Sequence, residues 1–350
     1  MNKLVLIFTA LLIFLVVACQ NNESLLLALS EAEKVVDNSL DNDLSLRNMV
    51  SDGSYFYLAA YGTLYKKDVT ASSEAEWGTI ALPEGTTGLT ALGFFGGNLY
   101  LGFFRQGADD GLYLSANQGA SWTELSQFKG KQVLDLWNQG SELFVSYYDE
   151  SRSVDKFGLA YYNGGTYSDT ALSALANPVL DVVFSGSSYY AITKSAIYGD
   201  ADPSLFSEKG KPSTEDAFKG LFYSNTYSLF YVSTDAGYVY SSPDLTTWTV
   251  SAAQEISSTK VKVSFTHFAE INGNVLVGTS NYGAYQMQIG DVTKMDRPEG
   301  LSNGDKLYYA YVLRFYIDAP RDRVYFITSD KGLFSNQYKD SAWGNTWTWE

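Results

Sequence analysis

The sequence predicts an all-β fold, a seven-bladed β-propeller of four-stranded antiparallel blades, and three observations predict it. A small residue followed by a short apolar step into an aromatic position recurs seven times: Gly62-Thr63-Leu64-Tyr65, Gly111-Leu112-Tyr113, Gly158-Leu159-Ala160-Tyr161, Ser195-Ala196-Ile197-Tyr198, Gly237-Tyr238-Val239-Tyr240, Gly283-Ala284-Tyr285 and Gly332-Leu333-Phe334. The lead residues step by 49, 47, 37, 42, 46 and 49, a loose period in the range that marks stacked supersecondary units. Each copy also follows a strand-like run and a tight turn carrying Gly, Asn or Ser, as in Gly96-Gly97-Asn98, Asn138-Gln139-Gly140 and Asn272-Gly273-Asn274.

The amino-terminal elements stand apart from this grammar. Lys3, the apolar run Leu4 to Val17 and the small Ala18 read as an export signal over residues 1–18, since the run is shorter than the roughly 20 apolar residues a membrane span needs. Val16-Val17-Ala18-Cys19 resembles the lipobox of bacterial lipoproteins, and the resemblance implies that Cys19, the sole cysteine, carries the lipid and becomes the first mature residue. No intrachain disulfide can form with one cysteine. Two acyl signals suffice for stable anchoring, so the bilayer is expected as a partner through Cys19 only. The resemblance places the protein in a bacterial cell envelope. The absence of Asp after Cys19 matches the pattern sent to the outer membrane in enterobacteria, on its periplasmic or surface face. Residues 19–43 read as a tether, with helical character from Leu25 to Val36 that Asp37-Asn38 and Asp41-Asn42-Asp43 break.

From residue 44 to 350 the chain reads as the propeller. Inner strands such as Val133-Leu134-Asp135-Leu136-Trp137 and Val179-Leu180-Asp181-Val182-Val183 come first in each unit. Second strands follow the turn, for example Tyr55-Phe56-Tyr57-Leu58 and Val275-Leu276-Val277-Gly278; their aromatic and β-branched content with little alternation predicts strands covered on both faces. The sevenfold motif is then the third strand. The chain runs out in Trp347-Thr348-Trp349-Glu350, which reads as a fourth strand of the last blade.

Between third and fourth strands, Ser115-Ala116-Asn117-Gln118-Gly119-Ala120-Ser121-Trp122 matches the Asp-box pattern, so the domain resembles the Asp-box (BNR-like) propellers of sialidases and sortilin-like receptors. Ser241 to Trp248 is a shifted copy, with Pro243 at the acid position and Leu245 for Gly, in which Asp244 and Trp248 keep the Asx and Trp; Ser335 to Trp343 or Trp347 is a degenerate one, and Glu76-Trp77 a relic. The chemistry of the box is structural: Asx caps its own turn, Gly supplies positive φ, and Trp packs between sheets.

Charge and composition exclude several functions. The formal net charge is −15, and cleavage after Ala18 removes Lys3 and no acid, giving −16; nucleic acid, whose phosphates call for a basic patch, is not expected as a partner. The resemblance to sialidases does not extend to their chemistry. There is no Arg-Ile-Pro segment, and Arg105, Arg152, Arg321 and Arg323, four of the seven arginines, sit in or beside loops. His267 is the only histidine, so neither a zinc site nor a Ser-His-Asp triad is indicated. The acidic loops at Asp109-Asp110, Asp149-Glu150 and Asp200 to Asp202 lack EF-hand spacing. No metal and no cofactor is expected.

Two sets of candidate residues remain. Asp135 and Asp181 hold equivalent places in the inner strands of blades three and four, with His267, Arg314 and Asn48 near the same level. These read either as the polar lining of a water-filled channel or, with Asp135 and Asp181 as acid and base, as the catalytic pair of a glycan hydrolase. The second set lies on the loop rim, where propellers gather their connections: Phe104 and Arg105 in blade two, Tyr148, Asp149 and Arg152 in blade three. Aromatics beside Arg and carboxylate suit a protein or glycan interface. The expected function is a non-catalytic binding or assembly module; a structural subunit of an envelope complex, held through the blade sides or the 23–40 helix, is a further alternative.

Overall fold

A computed structural model describes residues 40, 45–104, 111–254, 262–302, 305–345 and 347–350. The signal, Cys19, the tether apart from Leu40, and Arg105 lie outside the described residues. Seven antiparallel sheets follow one another along the chain, each ordered from inner to outer strand as the sequence runs. The inner strands are Leu46–Ser51, Leu89–Phe95, Gln132–Gln139, Asp181–Phe184, Phe218–Ser224, Phe265–Ile271 and Val312–Asp318, and each packs against the next around a closed circle, the seventh returning to the first. The sevenfold motif opens the third strands, from Thr63–Asp68 in blade one to Leu333–Lys339 in blade seven. Blade four is the shortest, with strands of 4, 4, 4 and 2 residues.

The core explains why the second strands do not alternate. Seven apolar clusters each lie between two neighbouring blades. In Tyr55–Ala60, Phe56 and Leu58 pack toward blade seven while Tyr57 and Ala59 pack toward blade two, so the period-2 pleat feeds two apolar interfaces. The blades approach closely at small residues: a Cβ on Gly102 would lie 2.4 Å from Cγ1 of Val133 in the next blade.

Ring closure needs no strand exchange. Blade one supplies its own four strands, and the outer strand of blade seven comes from the carboxy-terminal segment in two pieces, Ala342–Trp343 and Thr348–Trp349, which pair with opposite ends of the same third strand. A buried ionic cluster sits at this seam. Lys67 Nζ of blade one lies 3.3 Å from Oε2 of Glu350, whose Oε1 accepts from Ser335 Oγ at 2.6 Å and from Arg323 Nη1 at 3.2 Å. Leu40 is fully buried in the apolar cluster of the same seam, beside Leu46, Phe56 and Tyr325. Among the described residues no helix is long and apolar enough to cross a membrane.

Candidate functional site

The polar residues of the inner strands are aimed by a recurrent irregularity. In blades one, two, three, five, six and seven the inner strand breaks register near its start, and the break ends at Asn48, Ala91, Asp135, Gly220, Phe268 and Arg314 respectively; His267 lies within the break of blade six. A β-bulge bends a strand and re-aims the side chain that follows it. In blade four the inner strand starts at Asp181 itself.

At this level the ring is laced by cross-blade bonds. Arg314 of blade seven reaches across 179 residues of sequence to donate from Nη2 to Asp135 Oδ2 of blade three, while Asp135 Oδ1 accepts from the Leu136 N–H at 2.8 Å. Asp181 Oδ2 accepts from Leu221 N at 3.2 Å and stands 3.9 Å from His267 Nε2. Neither ring nitrogen of His267 makes a hydrogen bond among the described residues. Asn48 Nδ2 donates to Leu92 O at 2.8 Å, which joins blade one to blade two. Thr90, Ser233 and Thr266 donate in the same way to Val133 O, Thr266 O and Val312 O at 2.6, 2.7 and 2.7 Å.

The electrostatics follow from burial. Desolvation pushes the Asp181 carboxyl up to about 6, against the lowering influence of His267, the Leu221 N–H and the Trp137 indole. Desolvation also brings Arg314 down to about 10, which leaves its guanidinium charged at neutral pH beside the Asp135 carboxylate. The two carboxylates singled out from sequence thus face basic side chains of two different blades. At the end of the channel where inner and second strands turn, a cavity of about 680 Å³ opens among inner-strand ends of blades three to seven; Phe184, Phe222, Tyr223 and Ile317 wall it, with Glu270 as its acid.

The loop rim is ordered by a repeated backbone bond. The residue leaving the second strand donates its N–H to the residue just before the inner strand of the same blade: Tyr61 to Ser45, Phe104 to Gly88, Asp235 to Ala217, Ser280 to Ser264 and Ser329 to Tyr311, at 2.9 to 3.0 Å. Five blades therefore present one equivalent rim position. Blades one and two fill it with Tyr61 and Phe104, 49% and 42% exposed, where blades five to seven carry Asp or Ser. The Tyr61 hydroxyl lies against Gly88, which also bonds Phe104, and the Arg47 guanidinium carbon is 5.8 Å from the Tyr61 ring centre. The sequence points to Phe104 but not to Tyr61, for which the signal is an aromatic directly before a motif glycine.

The other rim candidates are placed differently. Asp149 and Arg152 pair with each other at 3.2 Å; Asp149 Oδ1 also accepts from Ser151 N and Oγ, and Arg152 donates to Ser173 O. Those hydrogen bonds hold Asp149 below the ordinary carboxylate range, opposed by burial. Both residues fasten their own loop. Tyr148 is half-buried, its ring edge-on to Phe157 at 5.2 Å and beneath Lys156 at 5.5 Å. A cluster that sequence reading passed over lies between blades six and seven, where Arg297 is set among Tyr285, Tyr308 and Tyr282 at 4.3, 4.6 and 5.9 Å, with Tyr309 exposed beside it.

The turns after the third strands are structural. Ser115 Oγ donates to Asn117 Oδ1 and accepts from Gly119 N, Ser121 N donates to Asn117 Oδ1, and Gly119 has φ +87°. Trp122 Nε1 donates to Ala81 O of blade one at 2.9 Å. In blade five the register read from sequence is corrected: Ser242 and Asp244, not Ser241 and Pro243, take the places of Ser115 and Asn117. Asp244 Oδ1 accepts from Ser242 Oγ, Thr246 N and Thr247 N, and Leu245 adopts φ 60°. One residue fewer separates the Asx from Trp248 than separates Asn117 from Trp122, which places the match one position off when the tryptophans are superposed. Ser335, where the sequence predicts the start of a degenerate copy, lies within the strand Leu333–Lys339 and donates to Glu350.

Neither a family model nor a curated protein sequence matches this chain. Solved structures do match its fold. YCF48 bound to a D1 peptide aligns with 84% of this chain and 91% of its own at 13% identity and a TM-score of 0.57. The extracellular domain of the putative one component system BT4673 from B. thetaiotaomicron aligns with 83% of this chain at 14% identity and a TM-score of 0.61, this chain spanning 38% of that longer one. The WD40 β-propeller domain of Doa1 aligns with 85% of this chain and 95% of its own at 13% identity and a TM-score of 0.58. The similarity is one of architecture.

Proposed function

We propose that this chain is a lipid-anchored protein of the bacterial cell envelope, attached through Cys19 and of Asp-box descent, whose propeller holds a protein partner on its loop rim as a non-catalytic binding or assembly module. The observation that carries the reading is the pair Tyr61 and Phe104: large aromatics held exposed at equivalent rim positions of adjacent blades by the same backbone bond. Rigid aromatic anchors on a scaffold with little ordering left to lose are what a protein interface uses. The structural neighbour YCF48 is seen with a peptide bound, which supports the same use of this architecture. The channel favours binding over hydrolysis, since Asp135 and Asp181 each face a basic side chain of another blade.

The test is capture from intact cell envelopes with the full-length lipoprotein, followed by identification of what co-purifies. Tyr61→Ala with Phe104→Ala is expected to lose the partner while Asp149→Ala with Arg152→Ala, which acts within its loop, retains it. A partner held equally by both double variants would refute the rim assignment. Turnover of a glycoside that Asp135→Asn abolishes would replace the binding module with a hydrolase.

A further inference from the structure

The mouth of the channel opposite the rim has a chemistry of its own. The inner strands end there, and the cavity of about 680 Å³ among their last residues is within the range of small-molecule sites. Blade six supplies its acid. Along Phe265–Ile271 the pleat sends Ile271 toward blade seven, while Phe268 packs toward blade five and Glu270 shares its side of the strand. Glu270 is half-buried and makes no hydrogen bond or ion pair among the described residues. Burial, and after it the Glu270 charge, pushes the phenols of Tyr227 and Tyr231 up, yet neither donates to the carboxylate. Their hydrogens go to Gly273 O at 2.5 Å and Gly290 O at 2.7 Å.

No lysine, arginine or histidine stands in the wall. Asp135, Asp149, Asp181, Asp318 and Glu350 each face a basic side chain, and Glu270 faces none. At the edge, Asn272 spends its amide on Asp322 Oδ1 at 3.1 Å and Tyr338 O at 2.9 Å, which adds an acid of the same sign nearby. The arginines on either side of Asp322 in sequence are already taken, Arg321 by Asp318 and Arg323 by Glu350. The wall therefore holds one negative charge that nothing cancels.

The remaining wall suits an apolar body. Phe184, Phe222, Tyr223 and Ile317, from blades four, five and seven, are all half-buried, so each leaves part of its surface to the cavity. Aromatic faces beside a carboxylate favour a cation. A carboxylate only accepts hydrogen bonds, so it calls for a cation that carries N–H groups, as a primary ammonium does and a quaternary one does not. One charge matches a monoamine over a polyamine. A calcium ion would ask for about six to eight oxygens, where much of this wall is hydrocarbon.

From this combination we propose that the channel mouth opposite the rim binds an arylalkylamine, its ammonium on the Glu270 carboxylate and its ring among Phe184, Phe222, Tyr223 and Ile317. The site is separate from the rim and stands whether or not the rim holds a protein.

Calorimetric titration of the full-length protein at neutral pH with tryptamine, tryptophol and indolepropionate tests it, because the three share one ring and carry a positive, no and a negative charge. Saturable binding of tryptamine is expected at least tenfold tighter than of the other two. Glu270→Gln keeps the shape and removes the charge, and should weaken tryptamine at least tenfold. Thr226→Lys places a cation at an exposed position of the wall, with a similar loss. Tyr61→Ala on the rim should leave tryptamine binding unchanged. Absence of saturable tryptamine binding, tryptophol or indolepropionate binding as tightly, or full affinity retained in Glu270→Gln at unchanged Tm would each overturn the proposal.

Discussion

Asp181→Asn should make the protein more stable at pH 8, because the channel buries this carboxyl where its charge is costly. The folded value of about 6 stands some two units above the ordinary 3.8. Each unit corresponds to about 1.4 kcal/mol, so ionised Asp181 costs about 3 kcal/mol of stability. The sign is set by which state holds the proton. Below 3.8 both folded and unfolded chains are protonated and there is no cost; between 3.8 and about 6 the folded state alone keeps the proton, so stability falls as pH rises; above about 6 the whole cost is present. Asparagine removes the charge and keeps an oxygen for the Leu221 N–H, and the value of about 6 already includes the opposing pull of His267, so about 3 kcal/mol is the expected gain. With an unfolding entropy of about 2 cal/mol/K per residue over roughly 300 residues, that is a rise in Tm of about 5 °C. Calorimetric or circular-dichroism melts at pH 8 and near pH 3.5 measure it. The gap should be present at pH 8 and close to zero at the acid end. A wild-type chain that melts at or above the variant at pH 8, or a gap of equal size at both pH values, would refute the argument from burial.

Two other outcomes follow from the packing. Glu350→Ala leaves Lys67 buried, 5% exposed at its side chain, without its carboxylate, and breaking such a pair costs about 3–5 kcal/mol; the melting temperature should drop at neutral pH. Gly102→Ala drives a methyl into Val133 at a contact of 2.4 Å and should destabilise by about 1–3 kcal/mol, and Val133→Ala in the same chain should recover part of that loss in a double-mutant cycle of urea midpoints. Additive effects of the two changes would show that the blades yield at this point.

Much of the fold was legible because a propeller repeats a local unit. The Gly-led third strands, the non-alternating second strands and the turn at Asn117 are each written in fewer than ten consecutive residues, and each stands where its pattern predicts. The shifted copy at Asp244 shows where local reading fails: its hydrogen bonds follow the serine, and a one-residue shortening before Trp248 disguised that. The rim was legible in part. Phe104 is exposed as expected, whereas Asp149 and Arg152, three residues apart, satisfy each other within one loop; sequence shows charges, and only the chain path shows whether they face outward.

By itself, then, the sequence determined the repeat, the all-β class and the order of strands within each blade, and it named Asn48, Asp135, Asp181, His267 and Arg314 as polar residues of the inner strands. The tertiary structure alone decided their partners. Asp135 meets Arg314 from 179 residues away, Asp181 stands beside His267, and Lys67 meets Glu350 across the seam. Strand periodicity is a property of neighbours along the chain, held by covering both faces of each sheet. Pairing across a ring depends instead on the bulges that aim the inner strands and on the curvature that brings the seventh blade to the first, and no short run of residues encodes either.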